Sequence, residues 1–269
     1  VLGKRENGYH DVRMVMQTVG IYDRLIITKI PEDEIRININ LKFLPVNENN
    51  LIYKAYKLMK DEYRFSGGID VDLNKFIPIA AGMAGGSTDA ASTMFAINRL
   101  FELGLSNEEL MKQGVKIGAD VPYCIMRGTA LAEGIGEKLT KLSPMPHCHI
   151  VVAKPPINVS TKMVYESLDA GAITKHPDID AIIEAINEGD VKKVAERMGN
   201  VLEDVTVPMY PVIAKIKNDM ISQGAYNAMM SGSGPTVFGI FPDEQTALKC
   251  KEYLKAQEDA RQVYITETF

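Results

Sequence analysis

The stretch Pro78-Ile79-Ala80-Ala81-Gly82-Met83-Ala84-Gly85-Gly86-Ser87-Thr88-Asp89 constrains this chain more than any other. Three of its glycines fall within five residues, and a Ser-Thr pair follows them. It joins an alternating apolar segment, Ile69, Val71 and Leu73, to a helical pattern over Asp89–Leu103. Glycines let backbone N–H groups approach an anion without a Cβ in the way. The free N–H groups and positive dipole end of a following helix then hold phosphate oxygens. Ser87 and Thr88 add hydroxyl donors, or touch a phosphate-bound Mg²⁺. The loop lacks the Gly-Lys-Ser/Thr ending of a Walker A loop and the Gly-x-Gly-x-x-Gly dinucleotide fingerprint. Two readings stand: a phosphate cradle, or a turn packing a helix closely on a strand. Glycine density and the Ser-Thr pair exceed what a turn requires and favour the cradle.

The rest of the chain mixes strands and helices without regular βαβ alternation, which argues α+β rather than a doubly wound parallel sheet. Strand patterns run over 12–19 and 25–30, and Ile35, Ile37 and Ile39 alternate with polar residues. An apolar stripe at helical spacing spans Leu51–Tyr63. A helix from Asp89 closes at Gly104, and Ser106 with Glu109 forms a capping box opening another that ends near Gly118. Tyr123–Met126 and Thr129–Ala132 read as strands, as do Ile150–Ala153, Met229–Met230, Val237–Phe241 and Val263–Thr268. Helical patterns cover 160–170, 178–200, 208–223 and 244–257. Leu142-Ser143-Pro144-Met145-Pro146-His147 reads as a linker, because prolines disfavour helix and central strand alike. The expected division is therefore residues 1–145 and 146–269.

Three further segments carry possible chemistry. Met230-Ser231-Gly232-Ser233-Gly234-Pro235-Thr236 precedes an apolar strand; alone it reads as a flexible hairpin turn. Gly118-Ala119-Asp120-Val121-Pro122-Tyr123 places an acid between a helix end and a strand. A carboxylate is electrostatically disfavoured at a helix C-terminus, which hints at a use, although an Asp in a turn is commonplace. Gly8-Tyr9-His10-Asp11 sets an aromatic beside a histidine, a pair able to stack on and hydrogen-bond a flat heterocycle. A packed Tyr with an exposed His is the alternative there. At position 84 an alanine adds one methyl group to a glycine-rich turn, so that position is expected not to need positive φ.

Composition removes several classes. The formal net charge of -5 disfavours an extended nucleic-acid-binding face, although a local basic pocket for phosphates is allowed. Cys124, Cys148 and Cys250 are odd in number and widely spaced, against a disulfide framework or zinc site and in favour of a reducing cytoplasm. No apolar run reaches membrane-spanning length, and Val1–Gly8 is polar and turn-like rather than a signal peptide.

Together these segments resemble the superfamily of galactokinase, homoserine kinase, mevalonate kinase and phosphomevalonate kinase. Pro78–Ser87 looks like its phosphate-binding motif and Ser231–Gly234 like its C-terminal glycine motif. A finer resemblance, along nearly the whole chain, is to the family of 4-diphosphocytidyl-2-C-methyl-D-erythritol kinases. It rests on Arg5-x-x-Gly8-Tyr9-His10, Asn50-Leu51-Ile52, Lys75, Gly118-Ala119-Asp120-Val121-Pro122 and Gly128-Thr129-Ala130. It continues in Gly134-Ile135-Gly136-Glu137 and Asn200-Val201-Leu202-Glu203.

The resemblance implies a two-domain fold, with an S5-like nucleotide domain and a ferredoxin-like C-terminal domain. It implies transfer of the ATP γ-phosphoryl group, with Mg²⁺, to the 2-hydroxyl of a substrate carrying a cytidine diphosphate group, a step toward isoprenoid precursors. Asp120 would be the general base. Pro78, Ala80, Ala81, Gly82, Met83, Ala84, Gly85, Gly86, Ser87 and Thr88 would cradle the ATP phosphates, with Asn50 and Lys75 near the adenine. Tyr9 and His10 would hold the cytosine, with Tyr165 as a second aromatic and Thr161 nearby. Gly134, Ile135 and Gly136 would line the diphosphate side, and Gly232 and Ser233 would touch substrate. The metal ligands stay unassigned, and a monomer or homodimer without nucleic-acid or membrane partners is expected. In that family an Ala-Lys-Ile-Asn-Leu-like strand precedes the position of Val1. Its Lys lies beside the Asp, so the strand is expected upstream of Val1, and without it turnover is severely reduced. Other readings are a homoserine- or mevalonate-type kinase, a decarboxylase of the superfamily, or a non-catalytic nucleotide sensor. Tyr9-His10 speaks against the first of these, whose sites have no cytosine to grip.

Overall fold

The computed structural model describes residues 1–6 and 8–269. The elements begin with β1 (Gly3–Lys4), β2 (His10–Gln17), β3 (Arg24–Ile30), β4 (Ile35–Ile39), α1 (Leu51–Tyr63) and β5 (Gly68–Asn74). Next come α2 (Gly85–Leu100), α3 (Asn107–Gly114), α4 (Val121–Met126), β6 (Thr129–Gly134), β7 (Lys138–Lys141) and β8 (His149–Lys154). Then follow α5 (Thr161–Ser167), α6 (Ile179–Glu188), α7 (Val191–Arg197), α8 (Glu203–Met209) and α9 (Val212–Ser222). The chain closes with β9 (Asn227–Met230), β10 (Val237–Phe241), α10 (Glu244–Ala256) and β11 (Gln262–Glu267). By Cα proximity it divides into two units, one of Val1–Gly20, Ala80–Met83 and Gly128–Phe269, the other of Ile21–Ile79 and Ala84–Arg127. The proline-rich linker at 142–147 lies inside the first of these.

In the second unit, alternation builds a three-stranded sheet of order β3-β5-β4. Ile69, Val71 and Leu73 are buried on one face while Asp72 and Asn74 face out on the other. β4 runs parallel to β5, and parallel neighbours need a crossover, which α1 supplies. Ile52, Ala55, Tyr56 and Met59 of α1 and Ala90, Ala91, Met94 and Ile97 of α2 form the buried helical layer. Each large side chain so buried stabilises by about 1.5–3 kcal/mol relative to exposure.

The first unit holds two antiparallel sheets, β1-β2-β6-β7 and β11-β8-β10-β9. α6 packs on β2. α9 and α10 cover the second sheet, burying Ile213, Ile216, Met220, Ala247, Cys250 and Leu254 with Val151, Ala153, Val237 and Phe241.

Several expectations change. Tyr123–Met126 is not a strand but belongs to α4, where Pro122 fits the first turn because its missing N–H would have no partner there. Asp120 therefore stands at the start of a helix, not between a helix end and a strand. The 178–200 pattern is two helices: Gly189 ends α6 in the left-handed region, and Asp190 caps α7. α2 starts four residues before Asp89, at Gly85. The helical pattern from 208 begins earlier, with α8 closing near Pro208 and α9 following Pro211. β1 and β7, too short for a visible period, were not anticipated. Ala84 does adopt positive φ, at 50°.

Candidate active site

The helix side of the glycine loop is built in the second unit. Ala84 precedes α2 without capping its first-turn N–H groups by a side chain, whereas Asn50, Ser106 and Asp243 cap α1, α3 and α10. Those N–H groups are left for another acceptor. Thr88 Oγ1 donates back to the Ala84 carbonyl at 3.0 Å and lies 3.4 Å from Cys124 Sγ. Lys75 is buried and pairs with Asp23 and, at 2.7 Å, with Asp89. Asp23 also accepts from the Phe76 and Ile77 amides, at 2.6 and 2.8 Å. Burial pushes the Asp89 carboxyl up to about 7; Lys75 pulls it the other way and Asp23 adds to the rise. One ammonium cannot neutralise two buried carboxylates. A Cβ at Gly85 would lie 2.9 Å from Ile77 and 3.0 Å from Lys75 Nζ, so glycine is required for the helix start to sit against this group.

Asn50 uses its side chain locally, accepting from the Ile52 amide and donating to the Pro45 carbonyl, both at 2.8 Å. Asp120 makes no capping bond at the start of α4. Burial raises its carboxyl above the ordinary range, which makes it a better proton acceptor than a solvated Asp.

The first unit contains the middle of the glycine loop and the second glycine loop, and they touch. Ser231 Oγ donates to the Gly82 carbonyl at 2.8 Å. A Cβ on Gly82, whose φ is 68°, would stand 2.1 Å from the Ser231 carbonyl oxygen. The second loop is thus a close-packed partner rather than a flexible hairpin turn. Its Ser233 hydroxyl meets that of Thr161 at 2.8 Å. Asn200 Nδ2 donates to the Met230 and Gly232 carbonyls.

In the same unit the His10 and Tyr165 rings lie 5.1 Å apart at 42°. His10 is 6% exposed and its Nε2 has no hydrogen-bond partner among the described residues, while Tyr9 is 57% exposed. The alternative of an exposed His with a packed Tyr is therefore reversed. Burial, helped by Lys4, lowers the His10 pKa, which favours neutral imidazole. Asp11 beside it is held by Arg5. At 134–136 the chain turns tightly: Gly134 and Gly136 have φ of 71° and 111°, and the Ile135 amide donates to Glu137 at 2.6 Å.

Residues 50–128 match the GHMP kinases N terminal domain and residues 182–260 the GHMP kinases C terminal family. The whole chain is 71% identical to the 4-diphosphocytidyl-2-C-methyl-D-erythritol kinase of Lachnospira eligens, covering 93% of that protein. The chain belongs to the 4-diphosphocytidyl-2-C-methyl-D-erythritol kinases, within the GHMP kinases. The fold agrees: a solved 4-(cytidine 5'-diphospho)-2C-methyl-D-erythritol kinase superposes with a TM-score of 0.84 at 28% identity, over 98% of this chain and 92% of that one. The homoserine kinase of Cytophaga hutchinsonii shares the fold, with a TM-score of 0.78 at 18% identity over 94% and 88% of the two chains.

As a GHMP kinase the chain has the expected α+β, two-domain architecture. Among the described residues no helix is long and apolar enough to cross a membrane. Sequence reasoning missed Asp23 and the ion-pair role of Asp89. Asp89 had a faint signal, as an acid directly after the Ser-Thr pair of a glycine loop. Asp23 had none, because its partners stand more than fifty residues away.

Proposed function

We propose that this kinase phosphorylates the 2-hydroxyl of 4-diphosphocytidyl-2-C-methyl-D-erythritol with ATP, as part of isoprenoid precursor synthesis in the cytoplasm. The observation that carries the reading is the Nε2 of His10, buried beside the Tyr165 ring and without a partner among the described residues. A buried ring nitrogen without a partner costs free energy, and a nucleobase edge would satisfy it. Cytosine offers both an amino donor and ring acceptors to a neutral imidazole, and flat faces for Tyr9 and Tyr165. Mevalonate and homoserine have no flat ring to offer. Thr161, Gly134, Ile135, Gly136, Gly232 and Ser233 would hold the rest of the substrate.

ATP supplies the phosphoryl group. The uncapped first turn of α2, entered through left-handed backbone at Ala84, fits an anion. Pro78–Thr88 would bind the phosphates, and Asn50 and Lys75 would support the adenine side. Mg²⁺ would arrive with the nucleotide, with phosphate oxygens and waters as its principal ligands. Among the described residues no cluster of three acidic, His or Cys side chains is arranged to hold a metal. Asp120 would orient the acceptor hydroxyl and take its proton. Phosphoryl transfer has a loose transition state, so orientation and charge stabilisation do most of the catalysis. The family matches leave 129–181 unassigned, and we place the break between nucleotide and substrate domains within it, at 145/146.

Calorimetric titration with the cytidine compound, in Mg²⁺ and a non-hydrolysable ATP analogue, tests this. Saturable binding, lost in His10→Ala and absent for mevalonate and homoserine, is expected. A folded chain that takes the nucleotide but not the cytidine compound would sink the substrate assignment.

A further inference from the structure

Asn200-Val201-Leu202-Glu203 has no part in the chemistry above. We propose that Asn200 and Glu203 are positioning residues: they set the turn at 230–233 and, through Ser231, the Gly82 segment of the phosphate loop. The inference rests on reading Pro78–Thr88 as the ATP cradle.

The contacts form one chain, all within the first unit. Asn200 Nδ2 donates to the Met230 carbonyl at 2.9 Å and to the Gly232 carbonyl at 2.8 Å. Its Oδ1 accepts from the Leu202 amide at 3.0 Å, so the side chain is pinned to the start of α8. Glu203 Oε1 accepts from the Met230 amide at 2.7 Å, and its other oxygen pairs with Lys217 of α9. Thr206, fully buried, donates to the Ser233 carbonyl at 3.3 Å. Residues 200, 203 and 206 recur at spacing three, which brings them to one side of the helix start. They grip Met230, Gly232 and Ser233 from that side.

Ser231 points away from that grip. Its amide donates to the Thr236 carbonyl, its own carbonyl accepts from the Gly234 amide, and its hydroxyl donates to the Gly82 carbonyl. Gly82 lies close against this turn, since a Cβ on it would collide with the Ser231 carbonyl. A shift of the turn toward Gly82 would therefore press on it, and a shift away would lengthen the Ser231–Gly82 hydrogen bond. Asn200 and Glu203 thus act on the nucleotide loop without touching a ligand in this arrangement.

Two variants of the full chain test the coupling. Asn200→Asp keeps the acceptor for Leu202 but removes both donors to the turn. Ser231→Ala removes only the bond to Gly82. Each is expected to shift the backbone amide resonances of Gly82 and Met83 and to weaken a non-hydrolysable ATP analogue about tenfold, as loss of one or two hydrogen bonds would. The melting temperature should move by only a few degrees. Because both act through one chain of contacts, the double variant should bind no worse than the weaker single variant. Unmoved Gly82 and Met83 resonances in a folded Asn200→Asp protein would overturn the proposal. So would unchanged affinity, or losses that multiply in the double variant. The resonances need no nucleotide. A wild-type chain that bound none would therefore count against the cradle reading and leave the coupling for the resonances to decide.

Discussion

At the scale of single residues, the carboxylates withdrawn from water are those whose replacement should be felt most. Lys75 serves both Asp23 and Asp89. Removing it with Lys75→Met leaves two uncompensated acids and should cost about 3–5 kcal/mol in chemical denaturation. Asp89→Asn leaves the Lys75–Asp23 pair intact and should cost less. Folded Asp89 keeps its proton to about 7, whereas an unfolded Asp releases it near about 4. Between those values the native state binds more protons, so stability should fall as pH rises through that window. Asp89→Asn should flatten the slope when denaturation midpoints are compared at its two ends. Asp120 carries the other acid. With its carboxyl raised by burial, kcat/KM should decline on acidification with a midpoint above the roughly 3.9 of a free Asp. Asp120→Asn should lower kcat by about 10²–10⁴-fold, remove that acid limb and spare nucleotide affinity. A variant retaining wild-type turnover would discharge Asp120 from the role of base.

At the scale of elements, local chemistry was legible wherever a short-range rule sufficed. The Leu51–Tyr63 stripe, the 35–39 and 69–73 alternations and the Ser106–Glu109 capping box all fold as their periods and caps require. Elements went astray where tertiary context decided. Val121–Met126 is a short apolar run with no visible period, and burial with Pro122 in the first turn made it a helix. Ala84 was read as free of positive φ because alanine resists it, yet the turn into α2 imposes it. For an L-residue that conformation costs roughly 1–2 kcal/mol. Glycine is free of that cost but loses up to about 1 kcal/mol in entropy. Ala84→Gly should therefore leave thermal stability unchanged or raise it modestly, and a clear fall in melting temperature would contradict the conformation described for the turn.

At the scale of the whole molecule, the two glycine motifs were visible in sequence, but the contact between them was not. Gly82 and Ser231 stand 149 residues apart, beyond any periodicity. The three cysteines were read as unpaired, and all three are free and buried. Burial pushes Cys124 and Cys250 up to about 12 and Cys148 to about 11. Since the thiolate is the reactive form, native protein near pH 8 should label with a thiol reagent at the rate of opening, and unfolded protein at once. Fast stoichiometric labelling of the native state would refute that burial.

The insertion of one unit into the other has a consequence on the ribosome. β2 needs β6 as its neighbour, and Gln17 and Thr129, which face each other there, are 112 residues apart. At roughly 5–20 residues per second, translation leaves β2 waiting roughly 6–22 s for that partner. Its far end waits longer, until Thr268 and Phe269 arrive beside Val19 and Thr18. The inserted unit is complete at Arg127, before that first sheet can close. A nascent chain of this protein therefore carries an open sheet edge throughout synthesis of the inserted unit, and that edge is where a holding chaperone would have to bind.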